Sequence, residues 1–167
     1  SGTDRLAEVA GHYPDVDVVV NVQGDEPMLP SEIIDRLAAV FAEDETVDMA
    51  TMKVEMRPEE YNQPAAVKVV TDKNGYALYF SRSLLPYPRK QVAGAKVYKH
   101  VGVYAYRRDF LLKYAKMQPT ILEQVESLEQ LRALENGYKI KVLESAFQGV
   151  GVDTQEDLDA VNKLLGG

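Results

Sequence analysis

Cysteine is absent from this chain of 167 residues, and histidine occurs only twice, as His12 and His100. Without cysteine there can be no disulfide, no thiolate metal ligand and no cysteine nucleophile. With two histidines, a metal site built mainly from imidazoles is not expected. No apolar run approaches the roughly 18 residues that cross a bilayer, and the amino end does not resemble a signal peptide. We therefore predict a cytoplasmic protein without a membrane span.

Basic side chains are outnumbered by acidic ones, 19 against 26, so the formal net charge is −7. This balance argues against a nucleic-acid partner, because binding to phosphate backbones requires a basic surface. An anionic small molecule remains possible where basic residues converge. Hydrophobic residues make up 46% and charged residues 27% of the chain. Those values are typical of a globular protein, and the length predicts one domain, residues 1–167, with a substantial core.

The segment DVDVVVNVQGDEPMLP, residues 15–30, combines a run of valines with polar and acidic residues that follow it. Its run of valines is continuous, which predicts a strand buried on both faces, as in a parallel sheet. Gln23, Gly24 and Asp25 follow the carboxyl end of this strand, where ligands bind in open α/β sheets. Asp25 could equally stabilise the dipole of the helix that follows. Both interpretations fit the sequence.

Helical and strand patterns alternate along the rest of the chain. Predicted helices cover residues 1–10, 31–41, 108–116 and 121–135, with a last helix capped by Thr154 and Asp157. Predicted strands cover residues 16–22, 48–56, 98–106 and 138–143. A hairpin is predicted over residues 67–82, because Asn74-Gly75 is the strongest short-range signal for one.

Three of these patterns also predict which side chains face the core. The stripe of the first helix is Leu6, Val9 and Ala10. The stripe of the helix over residues 121–135 is Leu122, Val125, Leu128, Leu131 and Leu134. In the strand over residues 98–106, alternation places one set of side chains on a common face: His100, Gly102, Tyr104 and Tyr106.

Two acidic residues, Asp25 and Asp153, each follow a short apolar run and precede a helix. If the two runs are neighbouring strands, both carboxylates lie at the same edge of the sheet. They could then share a divalent cation bound through oxygen, as suits Mg²⁺ with a triphosphate. Two unrelated acids at helix starts give the same pattern, and the spacing alone does not decide between the two.

Six segments form a longer pattern, in the same order and with similar gaps. They are SGTDRLAE from Ser1, NVQGDEPMLP from Asn21, VKVVTDKNGYALYFSRSLLPYPR from Val67, KHVGVYAYRRDFL from Lys99, LEQVESLEQLRALENGYKI from Leu122 and GVDTQEDL from Gly151. Together they resemble the 3-deoxy-manno-octulosonate cytidylyltransferases, the CMP-Kdo synthetase family of lipopolysaccharide biosynthesis. The resemblance spans practically the whole chain.

This resemblance implies an α/β fold: a Rossmann-like mixed sheet of the nucleotide-diphospho-sugar transferase type, with a hairpin-containing insertion that makes a dimer. It implies a reaction in which the 2-hydroxyl of 3-deoxy-manno-octulosonate (Kdo) attacks the α-phosphate of CTP and pyrophosphate leaves. The protein's contribution would be positioning and charge neutralisation by Mg²⁺ and basic groups. The implied partners are CTP, Kdo and a second copy of the chain.

The resemblance also implies roles for individual residues. Asp25 and Asp153 resemble metal-binding carboxylates and, with Arg5, form the implied catalytic set. Ser1 and Gln23 resemble contacts to the nucleotide and the sugar near the reacting centre. The residues that resemble the lining of a Kdo pocket, where a cation meets the sugar carboxylate and the others its hydroxyls, are Arg82, His100, Tyr104, Glu126 and Gln130.

Each pocket residue also has a structural interpretation. Arg82 could be merely solvated at a strand end, and Tyr104 could be a core residue. Glu126 and Gln130 could form one turn of an exposed helix face, and His100 could be a structural histidine.

The chain departs from the family at its amino end. Nothing in it matches the family's opening strand and basic loop, which resembles RxxSxRLPGKPL and holds the CTP triphosphate. We therefore expect an amino-terminal truncation on the order of 60 to 80 residues. Loss of neighbouring strands would expose the edge of residues 18–22, so we expect self-association through that edge or through the hairpin.

Three functions remain open from the sequence. The chain could be the carboxyl part of an active Kdo cytidylyltransferase. It could be a non-catalytic remnant that acts as a sugar-binding or oligomerisation module. It could also belong to a cytidylyltransferase for another acidic sugar such as a sialic acid, although the HVGVYAY and ESLEQLR segments favour Kdo.

Overall fold

Helices and strands alternate in the computed structural model, which describes residues 1–23, 29–146 and 155–165. The helices are α1 (Gly2–Gly11), α2 (Ser31–Glu43), α3 (Arg108–Tyr114), α4 (Ile121–Glu126), α5 (Leu131–Glu135) and α6 (Gln155–Leu165), with a 3₁₀ turn at Pro58–Glu60. The strands are β1 (Val18–Asn21), β2 (Met49–Glu55), β3 (Lys68–Thr71), β4 (Ala77–Ser81), β5 (Tyr98–Arg107) and β6 (Ile140–Ser145). The predicted α/β class is confirmed.

A six-stranded mixed sheet is organised around β5. Its order is β4-β3-β5-β2-β6, and β1 pairs with the far end of β5 on the same side as β3. Strands β1, β2 and β3 are all antiparallel to β5, while β2 and β6 are parallel. It follows that β1, β2 and β6 run in one direction, so their carboxyl ends point toward the same edge of the sheet.

The prediction that β1 lies among parallel strands is wrong for the described part of the chain. Its partner there is the antiparallel β5, and its four residues are half-buried. The continuous valine run has another cause: Val18 and Val20 pack against one core cluster while Val19 packs against the other. Apolar contacts on both faces therefore explain the continuous valine run without a parallel partner.

Alternate residues of β5 do face opposite sides, as predicted. Tyr104 and Tyr106 belong to a core cluster shared with α1, α3 and α5. Val101, Val103 and Ala105 belong to a second cluster, which packs under α2. The sheet is thus covered by helices on both faces, and the polar members of the first face lie where α1, α3 and α5 approach it.

Helix α1 is capped by Ser1, and its buried face is rotated relative to the predicted stripe. Its buried residues are Thr3, Ala7 and Ala10, and Val9 is 56% exposed. Helix α1 packs against α3. Small side chains at this spacing allow two helices to approach closely.

The predicted hairpin is confirmed as β3 and β4. The connection runs from Asp72 to Tyr76, longer than a two-residue turn. The Asp72 carboxylate accepts hydrogen bonds from the backbone N–H of Asn74 at 2.8 Å and of Tyr76 at 2.9 Å. Gly75 has φ of +79°, a left-handed conformation that glycine adopts without a steric penalty.

A single helix over residues 121–135 was predicted, and this prediction is wrong. The segment is broken into α4 and α5 at Ser127, which has φ of 53° and ψ of 49°. The break turns α5 back on α4, and the Arg132 guanidinium donates two hydrogen bonds to the Glu123 carboxylate, at 2.5 and 2.8 Å. Leu131 is buried as predicted, but Val125 is 76% exposed.

Two further predicted helices are present. Helix α2 buries Ile33, Leu37, Val40 and Phe41. In α6, Val161 is buried and Leu158 is 40% exposed. The predicted cap at Thr154 and the side chain of Asp157 lie outside the description. No helix in the described residues is long and apolar enough to cross a membrane.

Removal of the Arg132 charge should destabilise the fold strongly. In Arg132→Met, Glu123 keeps a buried carboxylate without its partner, so we expect the free energy of unfolding to fall by about 3 kcal/mol. Urea denaturation would measure this loss. The double variant with Glu123→Gln should recover part of it. Arg89→Met, at an exposed site, should change stability by less than about 0.5 kcal/mol, and an equal loss there would contradict this account.

Candidate functional site

A cleft of about 390 Å³ opens over the polar face of β5. Its floor includes His100, Gly102 and Tyr104. One wall is the amino end of α1 at Gly2 and Thr3, and another is the segment of residues 127–130 between α4 and α5. The carboxyl end of β1 reaches the cleft at residues 21 and 23. This position agrees with the general location of ligand sites in α/β sheets.

Four of the residues singled out from the sequence line this one cleft: Gln23, His100, Tyr104 and Gln130. They come from the end of β1, from β5 and from the α4–α5 connection. Gln130 is only 6% exposed and Tyr104 only 9%, so their polar groups are shielded from bulk water. The arrangement offers amide, hydroxyl and imidazole groups at a single site, which is suited to hydrogen bonding with a polar ligand.

Ser1 is the N-cap of α1, next to Gly2 and Thr3 of the cleft lining, and Arg5 lies in the first turns of the same helix. The Ser1 hydroxyl accepts a hydrogen bond from the backbone N–H of Asp4 at 3.3 Å, and the Asp4 carboxylate completes the capping box. Arg5 is exposed. Asp25 and Asp153 lie outside the described residues. Their predicted roles, and those of Ser1 and Arg5, stay predictions.

Arg82 and Glu126 do not line the cleft but hold its wall. The Arg82 guanidinium donates to the backbone carbonyls of Glu126 at 2.7 Å, Ser127 at 3.2 Å and Pro64 at 3.0 Å. The Glu126 carboxylate accepts from the Ser81 hydroxyl at 2.6 Å and from the Arg82 backbone N–H at 3.0 Å. Burial disfavours ionisation of Glu126, but these hydrogen bonds hold the pKa of its carboxyl below the ordinary value.

These contacts therefore join the hairpin to the α4–α5 turn, and the substrate contacts of Arg82 and Glu126 stay predictions.

His100 is neutral in this setting. Its ring contacts those of Phe80 and Tyr104, at centroid separations of 5.1 and 5.3 Å. Burial lowers the pKa of His100 from 6.5 to about 3, because the charged imidazolium would lose its hydration. His100 can therefore donate or accept a hydrogen bond, but it does not supply a positive charge at neutral pH.

Gln23 is placed by a glycine of the facing strand. A Cβ atom at Gly102 would lie 3.4 Å from the Gln23 side-chain oxygen, so the amide lies directly over this position of β5. A larger side chain at Gly102 would push the amide out of the cleft. Gly102 was placed on the correct face from the sequence, but its contact with Gln23 depends on β1–β5 pairing, which the sequence did not show.

Several lining residues were not selected from the sequence. Thr3 donates a hydrogen bond to the Glu129 carboxylate, which joins the two walls. The Tyr114 hydroxyl donates to the Glu129 backbone carbonyl at 2.7 Å, and the rings of Tyr106 and Tyr114 stack at 6.2 Å. Burial raises the pKa of the Tyr106 hydroxyl well above its ordinary value, so it stays protonated. Among these lining residues only Tyr106 was indicated by the sequence, because the alternation in β5 places it on the same face as His100.

The described lining contains no lysine or arginine, and its one acidic side chain is Glu129. Such a surface can bind hydroxyl groups but cannot neutralise a triphosphate. Within the described ranges there is also no cluster of three or more His, Asp or Glu residues that could hold a metal ion. The chemistry that these residues support is recognition of a neutral polar surface such as a sugar ring.

Comparison with known proteins gives the family. The protein-family model described as cytidylyltransferase matches residues 1–140. A 3-deoxy-manno-octulosonate cytidylyltransferase from Geotalea uraniireducens is 52% identical over 99% of this chain and 70% of its own length. The chain belongs to the 3-deoxy-manno-octulosonate cytidylyltransferase family. The enzyme of the same name from Fusobacterium nucleatum is 52% identical over 96% of this chain and 66% of its own length.

Solved structures agree with this family assignment. A CMP:2-keto-3-deoxy-manno-octonic acid synthetase complexed with CTP matches with a TM-score of 0.92 and 43% identity, over 99% of this chain and 68% of that one. A 4-diphosphocytidyl-2C-methyl-D-erythritol synthase from Anaerococcus prevotii shares the fold, with a TM-score of 0.58 at 14% identity. The chain spans about two thirds of the length of these two curated relatives, 66% and 70%.

The depressed pKa of His100 should make stability depend on pH. Between pH 6.5 and 3 the unfolded chain takes up a proton that folded His100 does not, so the free energy of unfolding should fall as pH falls. One such group contributes at most about 1.4 kcal/mol per pH unit. His100→Gln should flatten this slope in urea denaturations at pH 4 to 6.5. His12→Gln is the matched control, and an equal effect of both substitutions would contradict the account.

Proposed function

We propose that this chain is the sugar-binding part of a CMP-Kdo synthetase, which transfers the cytidylyl group of CTP to the 2-hydroxyl of Kdo and releases pyrophosphate. The observation that supports this most is the cleft on β5. It gathers Gln23, His100, Tyr104 and Gln130 in a chain that belongs to the Kdo cytidylyltransferase family.

The chemistry of the lining suits the hydroxyl-bearing side of the sugar. Neutral imidazole, amide and tyrosine groups can exchange hydrogen bonds with hydroxyls without the desolvation cost of a buried charge. Glu129, held by Thr3, would accept from further hydroxyls. The cation that meets the sugar carboxylate is not in the described lining. Within the proposal this role falls to Arg5, which lies three positions, or about one turn, beyond Gly2 of the lining on α1.

The nucleotide half of the reaction rests on the family resemblance. In this proposal Asp25 and Asp153 would hold Mg²⁺, which would supply charge neutralisation at the CTP phosphates. Asp25 follows Gln23 by two positions in the sequence. Gln23 would then lie between the sugar and the reacting phosphate, and the protein's own contribution to the rate would be alignment of the 2-hydroxyl. A cytoplasmic location remains part of the proposal.

Kdo binding should depend on the Tyr104 hydroxyl. Tyr104→Phe removes one hydrogen bond from the floor of the cleft, so we expect Kdo affinity to fall by about 1 kcal/mol, roughly fivefold. Isothermal titration calorimetry with Kdo would measure this. Tyr87→Phe, at a site that is 83% exposed, is the matched control and should bind like the wild type. Tighter binding of N-acetylneuraminic acid than of Kdo would favour the sialic acid alternative.

Pyrophosphate release with CTP, Kdo and Mg²⁺ separates catalysis from binding alone. Turnover that is lost in Asp25→Ala would support a catalytic chain. Kdo binding without any turnover would favour the second candidate, a non-catalytic sugar-binding or oligomerisation module.

Self-association is the remaining part of the proposal. Large apolar side chains are exposed on the hairpin at Leu78, 62%, and on α4 at Ile121 and Val125, 75% and 76%. Such surfaces favour association with a second copy. Light scattering after size exclusion should give a dimer that Leu78→Arg weakens. Val92→Arg, an exposed valine outside the hairpin, is the control. A monodisperse monomer in the wild type would contradict this proposal.

A further inference from the structure

Thr51 is a fully buried residue of β2 whose hydroxyl touches three polar groups. Its Oγ1 atom lies 2.9 Å from Nε2 of His100. It also lies 2.7 Å from the backbone oxygen of Val103 and 3.2 Å from that of Val101. Nothing in the sequence pattern selects Thr51, which is one of several alternating residues in a central strand.

The two carbonyls belong to an irregularity in β5. Thr51 pairs with Tyr104, but the next residue of β2, Met52, pairs with Val101. Gly102 and Val103 are therefore extra residues on β5, and the strand bulges at the floor of the cleft. Bulges of this kind occur next to functional sites, where they redirect side chains. The Thr51 hydroxyl binds the bulge from the neighbouring strand.

The number of available protons determines the direction of each hydrogen bond. A threonine hydroxyl carries one proton, and backbone carbonyls carry none. An oxygen–oxygen separation of 2.7 Å is a normal O–H···O distance and requires the proton to lie between the two atoms. The Thr51 proton is therefore shared with Val103 and Val101. The Thr51 oxygen must then accept from Nε2–H of His100.

We propose that Thr51 is a positioning residue: it holds His100 as the Nε2–H tautomer and so presents Nδ1 as a hydrogen-bond acceptor to a hydroxyl of the ligand in the cleft. The identity of the ligand rests on the proposed function, while the tautomer does not. His100 lines the cleft, and no hydrogen bond joins Nδ1 to another of the described residues.

This assignment restricts what His100 can recognise. An Nδ1 lone pair accepts from a hydroxyl but repels a carboxylate oxygen, since neither atom carries a proton. Because burial lowers the pKa of His100 to about 3, protonation does not change this at neutral pH. His100 therefore binds a hydroxyl-bearing part of an acidic sugar, and the carboxylate of the sugar is bound elsewhere.

Nitrogen NMR of the histidine rings tests the tautomer directly. The His12→Gln background leaves His100 as the only histidine. In ¹⁵N-labelled protein between pH 5 and 8 we expect a protonated Nε2 and an unprotonated Nδ1. A proton on Nδ1, a rapid mixture of both tautomers, or an imidazolium at pH 6 would overturn the proposal.

Matched variants at Thr51 test whether its hydroxyl determines the tautomer of His100. Thr51→Ser keeps the hydroxyl and should keep the tautomer. Thr51→Val has nearly the same shape without the hydroxyl, so His100 should shift toward a mixture of the two tautomers. An unchanged tautomer in a folded Thr51→Val protein would overturn the positioning role. If Thr51→Val does not fold, the wild-type and Thr51→Ser spectra still decide the tautomer.

Addition of Kdo separates this proposal from the proposed function. A hydrogen bond from a sugar hydroxyl should shift the Nδ1 signal and leave Nε2 protonated. If the tautomer is as expected but Kdo leaves the Nδ1 chemical shift unchanged, the contact between His100 and the sugar is contradicted. The hydrogen bond between Thr51 and His100 would still be established by the tautomer. In Thr51→Val, Kdo affinity should fall severalfold while Thr51→Ser retains it.

Discussion

The turn at Ser127 is the constraint on which the cleft depends. A left-handed conformation at a residue other than glycine costs roughly 1 to 2 kcal/mol, and here it reverses the chain between α4 and α5. Hydrogen bonds to charged groups contribute roughly 1.5 to 3 kcal/mol each. Arg82 donates two to the carbonyls of this turn, at Glu126 and Ser127, and Arg132 pairs with Glu123 across it. These contacts outweigh the backbone cost and place residues 127–130 opposite β5.

Arg82 and Arg132 thus stabilise the wall of a cleft whose described lining contains no arginine. Their guanidinium groups are used to hold backbone and a buried carboxylate, so the cleft itself is lined by neutral groups and Glu129. A neutral lining distinguishes sugar hydroxyls by hydrogen-bond direction rather than by charge. The Thr51–His100 pair extends this arrangement, because it fixes which side of the imidazole can accept.

Local patterns predicted those parts of the fold that local chemistry decides. Asn74-Gly75 located the hairpin because glycine tolerates the left-handed conformation found there. The alternation in β5 located both faces of the sheet. The helix break was missed because its cause lies 44 positions away, at Arg82, and residues 121–135 have a regular helical period by themselves. The partner of β1 was missed because strand pairing is a tertiary property.

The candidate site was predictable to a similar extent. The resemblance selected Gln23, His100, Tyr104 and Gln130, which the structure gathers in one cleft. Thr3 and Thr51 were not selected, because their importance depends on which residues face them across an interface or a bulge. Arg82 and Glu126 were selected for substrate contacts, and the structure adds that both hold the wall.

The central claim is that the cleft between α1, β5 and the α4–α5 turn binds an acidic sugar. Amide chemical-shift mapping of the ¹⁵N-labelled chain during a Kdo titration tests it most directly. The account predicts that the largest shifts occur together at Thr3, Gly102 and Gln130, with saturation, and that glucose at the same concentration produces none of them. Shifts confined to the outer face of the hairpin, or no shifts with Kdo, would contradict it.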